Sequence, residues 1–389
     1  MNVLQIGFAE SIAKRDPDKF NDPQLHQIKY GKRIFTKSFI IVKTPRSDCF
    51  QRFNLSENVE VFPTLSRNKY WFLWDAWAMG RSLIKKNPVD LIITQDPFIT
   101  GLVGYLLKKE FHLPMNVNDV CDFINNPYWI KEWWGNQILN PIGRWILREA
   151  ESVRVDSDQE YRKLIGLGLE REKIWNVPFI LNEADQFITA RPDPELRQRL
   201  LNGRFDHLVL FVGRFEDQKD LPTLFNTVKR VIQRKPRALF LIIGDGKKAG
   251  ELKAMANGLG IQDNLLFTGW VDYFDLPKYF ANCDAFILTS RYETSPRVLI
   301  FACLCRKPIV ATEVSGVTDL VEHGKNGFIV PVRDEEKLAK SVLHLLENPG
   351  EAQEMGEIGF NKVKELLDEE RILSNYQRMY EFTLERWRL

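Results

Sequence analysis

Cysteine, histidine and long apolar runs are all scarce in this chain of 389 residues. Its five cysteines are scattered without a Cys-x-x-Cys pair, so the sequence indicates neither a disulfide framework nor a zinc site. The five histidines show no spacing that is typical of metal ligands. We therefore expect no bound metal, and we expect Cys303 and Cys305 to be small residues of the core.

No apolar run approaches the ~18 residues that a bilayer-spanning helix needs. The start MNVLQIGFAESIAKRDPD lacks the pattern of a signal peptide, so we expect a cytoplasmic protein. The net charge of +2 is too small to indicate a nucleic-acid partner, and we expect none. With 44% apolar and 27% charged residues the composition is that of a folded protein, and the length favours two domains over one core.

Short apolar segments alternate with longer amphipathic segments along the chain. The first series of strand-like segments is NVLQIGF, SFIIVKT, VEVFP, DLIITQDP, LPMNVND and SVRVDSD. The second series is HLVLFVGRF, ALFLIIGDG, NLLFTGW, DAFILTS, KPIVATE and NGFIVPV. Strands that alternate with helices predict parallel sheets with helices on both faces. Two such series predict an α/β protein with two doubly wound, Rossmann-like domains.

The segment NVPFILNEADQFITARPDP separates the two series, so we place a linker near residues 180 to 195. This division predicts an amino-terminal domain at residues 1–185 and a carboxy-terminal domain at residues 186–371. Parallel sheets bind ligands outside the carboxyl ends of their strands. We therefore expect the active site in a cleft between two facing domains, at residues that directly follow strands.

Two cations follow the segment HLVLFV, in the loop GRFEDQK. Arg214 and Lys219 lie between a predicted strand and a predicted helix. Such a pair suits a diphosphate, because arginine can bind two oxygens at once and lysine supplies a point charge. Two solvated loop cations would produce the same pattern, and these residues alone leave both interpretations open.

A carboxylate precedes a predicted helix in the segment SRYETSPRVLIF. Ser295 is expected to cap the helix and Pro296 to be its first residue. The free N–H groups of Arg297 and Val298 would then form an anion-binding end. Glu293, just outside that end, could accept hydrogen bonds from sugar hydroxyls, or it could be a loop acid that complements the helix dipole.

These segments together resemble the donor-binding half of glycosyltransferase family four. GRFEDQKDLPTLF, IIGDGKKAGELKAMANGLGIQDNLLFTGWV and SRYETSPRVLIFACLCRKPIVATEVSGVTDLVEHGKNGFIV occur in the family's order and spacing over roughly 150 residues. The segments DLIITQDPFITGLVGYLLKK and SVRVDSDQEYRKLIGLG resemble the amino-terminal half more loosely. The resemblance implies a GT-B fold, in which an amino-terminal acceptor-binding domain faces a carboxy-terminal donor-binding domain. It also implies that the terminal helix, residues 372–389, packs back on the amino-terminal domain.

The resemblance implies roles for individual residues. Arg214 and Lys219 match the pair that grips the donor diphosphate, and Glu293 matches the first acid of the family's Glu-x7-Glu motif, which contacts hydroxyls of the transferred sugar. These three are the expected catalytic residues. The expected nucleotide-sugar site also includes Gly7 near the sugar and phosphate, Gly269, Trp270 and Val271 near the base, and Ser295, Arg297, Val298 and Phe301 on the segment after Glu293. No cofactor and no metal are implied.

The sequence departs from the family pattern at several positions. Phe301 replaces the second acid of the motif, which usually holds the ribose hydroxyls, and a lost charged hydrogen bond is worth roughly 1.5–3 kcal/mol. Either donor affinity falls, or Glu313 or another group supplies the contact, or the nucleotide sits differently. Asp220 replaces a usual glycine, although aspartate tolerates a left-handed backbone better than most residues. No histidine occurs in NVNDVCDF, where many relatives have one, and Asp119 and Asp122 are the polar candidates there.

Seven of the ten tryptophans lie between Trp71 and Trp145, mixed with Lys and Arg. An interfacial helix has this composition, with tryptophan at headgroup depth and cations outside. A packed core or a platform that stacks on an acceptor sugar would look similar. Peripheral contact with the inner face of a membrane is thus one of three interpretations of this region.

The sequence predicts a cytoplasmic, metal-independent, retaining glycosyltransferase. It would move a sugar from a nucleoside diphosphate sugar to a glycan or lipid-linked acceptor, in surface polysaccharide biosynthesis by analogy with the family. Two alternatives stay open. One is a nucleotide-sugar epimerase, and the other is a catalytically silent glycosyltransferase-like subunit that binds a partner or a glycan.

Overall fold

The computed structural model describes residues 1–13, 27–28, 31–46 and 50–388. The chain divides into two units, Met1–Asn182 with Glu369–Leu389, and Glu183–Asp368. The boundaries lie three residues before the predicted ones at 185 and 371. The predicted linker region spans the first boundary and contains a short helix, Ala184–Thr189.

Each unit contains one sheet, and its described strands run parallel with a single exception in the amino-terminal unit. In the amino-terminal unit they are β1 (Asn2–Gly7), β2 (Lys37–Val42), β3 (Phe53–Ser56), β4 (Val59–Pro63), β5 (Leu91–Thr94), β6 (Met115–Asn118), β7 (Ser152–Val155) and β8 (Ile174–Asn176). In the carboxy-terminal unit they are β9 (His207–Val212), β10 (Ala238–Ile243), β11 (Leu265–Gly269), β12 (Ala285–Leu288), β13 (Ile309–Thr312) and β14 (Gly327–Val330). Only β3, which pairs with β4, runs antiparallel among the described strands.

Helices connect most of these strands. They are α1 (Lys69–Lys86), α2 (Ile99–Phe111), α3 (Pro127–Glu132), α4 (Asn136–Glu149), α5 (Asp158–Gly166), α6 (Ala184–Thr189), α7 (Pro194–Leu201), α8 (Leu221–Arg234), α9 (Ala249–Leu259), α10 (Leu276–Asn282), α11 (Arg297–Leu304), α12 (Val317–Leu320), α13 (Glu335–Glu347), α14 (Pro349–Leu366) and α15 (Glu369–Arg388). Single 3₁₀ turns cover Glu10–Ala13, Arg171–Lys173, Asp217–Lys219, Gln262–Asn264 and Tyr273–Asp275.

The strand order of both sheets reverses once. The carboxy-terminal sheet has the order β11-β10-β9-β12-β13-β14, and the amino-terminal sheet has the order β3-β4-β2-β1-β5-β6-β7-β8. The chain therefore changes direction across the sheet between β9 and β12, and between β1 and β5. In doubly wound sheets the crevice at such a switch point is where ligands bind. The predicted α/β fold with two Rossmann-like domains is confirmed.

The strands could be predicted from the sequence as apolar runs because both faces of each sheet are buried. Every residue of β10 is buried, as a strand covered by helices on both faces requires. The short β3 (FNLS) and β8 (IWN) were not predicted, because each is brief and partly polar. Cys303 and Cys305 are buried, in agreement with the core role expected for them.

The last helix, α15, packs on the sheet of the amino-terminal unit. Its residues Ile372 and Met379 share a buried cluster with Val3 and Leu91. The hydroxyls of Thr383 and Ser152 lie 2.6 Å apart and hydrogen-bond across the same contact. These apolar and polar contacts fix the terminal helix on the first unit, although it follows the second in sequence.

Candidate functional site

Lys219 and Glu293 form an ion pair at the switch point of the carboxy-terminal sheet. Lys219 ends the short turn after β9, and Glu293 lies in the loop after β12. Their side chains are 12% and 9% exposed, so the pair is largely withdrawn from water. Two residues that are 74 positions apart in sequence are thus brought together by two neighbouring strands.

Two further side chains hold the Glu293 carboxylate in place. Ser290 donates a hydrogen bond from its hydroxyl to Oε1 at 2.6 Å. The amide of Gln218 donates to the backbone oxygen of Tyr292 at 3.0 Å and lies 3.4 Å from Oε2 of Glu293. A carboxylate held by a cation, a hydroxyl and an amide is fixed in orientation, which suits it to accept hydrogen bonds from a ligand.

A second buried ion pair joins the same two loops. Asp220 has a left-handed backbone, with φ of 46°, as its place at a glycine position suggested. Its buried carboxylate accepts a hydrogen bond from Arg291 at 2.8 Å and another from the hydroxyl of Thr223 at 3.0 Å. The backbone N–H of Arg291 also donates to the carbonyl of Gln218 at 2.8 Å. These contacts lock the loop that carries Lys219 to the loop that carries Glu293.

Arg214 differs from Lys219 in its surroundings. Its side chain is 60% exposed, and it pairs with Glu216 at 3.2 Å. Gly213, next to Arg214, packs closely against Gly244, which follows β10 and has a left-handed backbone. A Cβ at Gly244 would lie 1.9 Å from the backbone oxygen of Gly213. At Gly246 a Cβ would likewise lie 2.7 Å from the backbone oxygen of Phe215, so both glycines of GDGKKA allow neighbouring loops to pack closely.

The helix after Glu293 begins one residue later than predicted. Arg297 is the first residue of α11 and Pro296 takes the cap position, so Ser295 does not cap the helix with its side chain. The loop after β13 packs directly on this segment. At the left-handed Gly316 a Cβ would lie 1.4 Å from the backbone oxygen of Thr294, so only glycine fits there.

Phe301 lies in an aromatic cluster rather than on an open surface. Its ring is 2% exposed and stacks on Phe187 of α6, with ring centres 4.0 Å apart and planes 6° apart. Phe280 and Tyr273 contact it edge-on, with centres at 6.2 Å and 5.6 Å. This burial counts against the predicted direct contact of Phe301 with a nucleotide, because its ring has almost no surface left to offer.

A buried glutamate that was not predicted from the sequence lies beside this cluster. Glu183 is 4% exposed and pairs with the side chain of Arg297. The hydroxyl of Tyr273 donates to the same carboxylate, and Arg297 also donates to that hydroxyl at 3.0 Å. The charged side chain of Arg297 thus belongs to this hydrogen-bond network. The sequence predicted a role only for its backbone N–H, as part of an anion-binding helix end.

The remaining predicted residues lie at strand ends. Gly269 ends β11 with φ of 72°, Trp270 is 74% exposed, and Val271 is half-buried. In the amino-terminal unit Gly7 ends β1 at the other switch point. There Gln95, which follows β5, accepts a hydrogen bond from the backbone N–H of Phe8.

Acidic residues cluster after β6 in the amino-terminal unit. Lys163 donates hydrogen bonds to Asp122 at 2.6 Å and to Glu160 at 3.0 Å. Burial raises the pKa of Asp119 to about 6, against the opposing effect of the Lys163 cation. Burial and the neighbouring Asp119 raise the pKa of Glu160 well above its usual range. The Asp119 carboxylate accepts no hydrogen bond from the residues that the structure describes.

Gln218, Ser290 and Arg291 were not predicted from the sequence. All lie in the two loops that carry Lys219 and Glu293, so their positions after strands were the available signal. Among the described residues no group of three or more His, Cys, Asp or Glu is arranged to hold a metal ion. In the same part of the chain, no helix combines the length and the apolar character that crossing a membrane requires.

Most of the carboxy-terminal unit is similar in sequence to a known protein family. Residues 193–362 match the family model described as glycosyl transferases group 1. Alpha-D-kanosaminyltransferase of Streptomyces kanamyceticus is 28% identical over 232 residues, which cover 57% of this chain and 58% of that protein. The lipopolysaccharide core biosynthesis glycosyltransferase LpsE of Rhizobium meliloti is 26% identical over 172 residues, which cover 44% and 49%. The chain therefore aligns with less than two thirds of the length of both relatives.

Solved structures share the fold over nearly the whole chain. Sucrose-phosphate synthase from Thermosynechococcus elongatus superposes with a TM-score of 0.81 at 19% identity, covering 98% of both chains. HepE of Anabaena, solved in complex with UDP, has a TM-score of 0.73 at 19% identity, covering 98% of this chain and 99% of that one. These likenesses agree with the predicted GT-B fold. The family model that matches residues 193–362 describes glycosyl transferases, and both named relatives are transferases of this kind.

Proposed function

We propose that this protein is a retaining glycosyltransferase of family four that takes its sugar from a nucleoside diphosphate sugar. The observation that carries the proposal is the Lys219–Glu293 pair at the switch point of the group 1 unit. It combines a cation for a diphosphate with an oriented carboxylate for sugar hydroxyls. The likeness to HepE, which was solved with UDP, makes a uridine nucleotide the first donor to test.

In this proposal Lys219 and Arg214 stabilise the negative charge that develops on the departing diphosphate. Glu293 accepts hydrogen bonds from hydroxyls of the transferred sugar and so positions its anomeric carbon. The acceptor attacks on the side of the leaving group, which retains the anomeric configuration, and the departing phosphate oxygen takes the acceptor's proton. The protein therefore supplies position and charge rather than a strong base, and the proposal requires neither a cofactor nor a metal.

The base and ribose would be held by the segment Gly269, Trp270 and Val271 and by backbone groups at the start of α11, including those of Ser295, Arg297 and Val298. Because Phe301 is buried, we do not assign it a ribose contact. Gly7, at the switch point of the amino-terminal sheet, would allow close approach of the sugar and phosphate.

For the acceptor we propose a glycan or a lipid-linked glycan, used in surface polysaccharide biosynthesis. The similarity to LpsE, a lipopolysaccharide core biosynthesis enzyme, supports this choice. We assign acceptor binding to the amino-terminal unit, a cytoplasmic location to the protein, and a peripheral contact to the membrane where a lipid-linked acceptor resides.

Thermal-shift measurements with UDP, GDP and ADP sugars test the donor. One donor should raise the melting temperature of the wild type, and Lys219→Ala should weaken its binding by roughly ten- to a hundredfold, the equivalent of one charged hydrogen bond. Lys340→Ala is the matched control, because Lys340 is a 68% exposed lysine of the same unit. Absence of any shift in the wild type would contradict donor binding and favour the silent subunit.

Product analysis separates the transferase from the epimerase. Incubation of the protein with the identified donor alone should leave its sugar unchanged on chromatography. Conversion of the sugar without acceptor would favour a nucleotide-sugar epimerase instead.

A further inference from the structure

Large apolar side chains are exposed together at one place on the amino-terminal unit. Tyr70, Trp71 and Trp74 near the start of α1, and Trp134 and Ile138 near the start of α4, are between 51% and 68% exposed. We call these five residues the aromatic surface. Exposed apolar groups that are concentrated in this way typically mark an interaction site in a folded protein.

The two parts of the aromatic surface adjoin each other. The ammonium of Lys69, the first residue of α1, lies 4.4 Å from the ring centre of Trp133 and 5.3 Å from that of Tyr70. The ring centre of Trp133 lies 5.3 Å from that of Trp134. Lys69 thus bridges the beginning of α1 and the loop before α4, which makes the aromatic side chains one surface.

The exposed side of α4 continues this surface. Its exposed residues are Gln137, Ile138, Pro141, Trp145 and Arg148, and the last four recur at spacings of three and four along one stripe of the helix. The opposite side packs inward, where Gly101 of α2 lies against the Ile146 side chain. An amphipathic helix of a protein surrounded by water normally turns polar residues outward. Here three of the five exposed residues are apolar, and the other two are an amide and a cation.

The charge around the aromatic surface favours an anionic partner. Four exposed cations lie on the segments that carry the exposed rings, whereas Glu132 is the one exposed acid of residues 67–74 and 127–148; the cations are Arg67, Lys69, Lys131 and Arg148. Tryptophan and tyrosine prefer the headgroup level of a bilayer, and basic residues beside them are attracted to anionic lipids. A glycan platform would explain stacked rings, but it would not explain the excess of positive charge.

We propose that the aromatic surface docks on an anionic lipid bilayer, with Trp71, Trp74 and Trp134 inserted at headgroup depth and Arg67 and Lys69 against the lipid phosphates. The inference deepens the proposed function, since it rests on a lipid-linked acceptor for its purpose. Membrane binding is nevertheless measured without donor or acceptor. Failure of docking is therefore distinguishable from failure of glycosyl transfer.

Co-sedimentation of the full chain with vesicles tests the proposal. We expect binding to vesicles of phosphatidylglycerol and phosphatidylcholine, and little binding to phosphatidylcholine alone. Trp71→Ala combined with Trp134→Ala should lower the partition coefficient about tenfold or more, because the inserted rings supply the apolar area. Lys69→Glu should lower it about fivefold or more, because each nearby cation contributes to attraction by an anionic surface.

Two isoleucines provide a matched control. Ile138→Ala should weaken vesicle binding, whereas Ile358→Ala should not, because Ile358 is 41% exposed on α14 of the other unit. Circular dichroism confirms that each variant is folded. The proposal would be overturned if the wild type failed to bind anionic vesicles or if the tryptophan pair bound as the wild type does. A dimer that dissociates in the tryptophan pair, without vesicle binding, would assign the surface to a second copy instead.

Discussion

Asp220 and Arg291 form a buried ion pair that joins the loops after β9 and β12, with 2.8 Å between the guanidinium nitrogen and the carboxylate oxygen. Asp220 directly follows Lys219, and Arg291 lies two residues before Glu293. A glycine at position 220 would allow the same left-handed backbone but would offer no carboxylate. The side chain of Asp220 therefore adds a cross-link that holds the Lys219 and Glu293 loops in register.

Removal of this carboxylate should destabilise the carboxy-terminal unit. Asp220→Gly keeps the left-handed backbone accessible but removes the carboxylate that Arg291 and Thr223 contact, so we expect the free energy of unfolding to fall by about 1–3 kcal/mol. Asp217→Asn is the control, because Asp217 pairs with Lys248 at the surface and should change stability by less than about 0.5 kcal/mol. Urea denaturation measures both, and a fully stable Asp220→Gly would contradict a structural role for the pair.

Replacement of Glu293 by glutamine should separate sugar recognition from nucleotide binding. Glu293→Gln preserves the shape of the side chain but removes the charge that sugar hydroxyls would contact. We expect the affinity for the free nucleoside diphosphate to stay within about threefold, a difference of less than 1 kcal/mol. The additional affinity for the nucleotide sugar and the transfer rate should fall. Calorimetric titration with both ligands measures the difference, and an unchanged sugar contribution would refute the role of Glu293.

Placing an acid at position 301, as in the family motif, should destabilise the folded protein and should not improve donor binding. Phe301→Glu would place a carboxylate among the rings of Phe187, Tyr273 and Phe280 and would remove a well-packed stack. We expect a loss of about 3 kcal/mol or more in the free energy of unfolding. Phe301→Leu, which keeps the site apolar, should lose less. Denaturation of the two variants side by side decides the point, and a Phe301→Glu protein of wild-type stability would contradict it.

The stability of the amino-terminal unit should decrease as the pH rises through about 6. Asp119 has its pKa raised from 3.8 to about 6 by burial, so the folded state holds the proton more tightly than the unfolded state. The resulting stabilisation is complete below about pH 4 and is lost as the pH rises past the pKa of the folded state, by an amount on the order of 3 kcal/mol. Asp119→Asn should flatten this dependence between pH 4 and pH 7.

Unfolding of the amino-terminal unit at several pH values measures this effect. The exposed Glu57→Gln should leave the pH dependence as it is in the wild type. An unchanged slope in Asp119→Asn would show that another group, such as Glu160, holds the proton.

The strands and the loops that follow them could be predicted because strands of a parallel sheet are buried on both faces and therefore appear in the sequence as apolar runs. Each of the twelve predicted strand segments overlaps an observed strand. The same logic placed Lys219 and Glu293 after neighbouring strands, although sequence spacing could not show that they pair. The start of α11 was misplaced by one residue, because Ser295 and Pro296 are both residues that commonly begin a helix.

Local residue patterns were enough to predict the order of the strands and helices, the α/β fold and the loops in which charged residues gather. Contacts between distant segments were decided only in the folded chain, because they depend on which strands become neighbours. Phe301 is an example. The sequence shows that a phenylalanine replaces the acid of the family motif, but the stacking of its ring on Phe187 depends on the packing of α6 against α11. The burial of Glu183 and the exposure of Trp71 and Trp134 likewise depend on packing, which residue type and spacing alone do not specify.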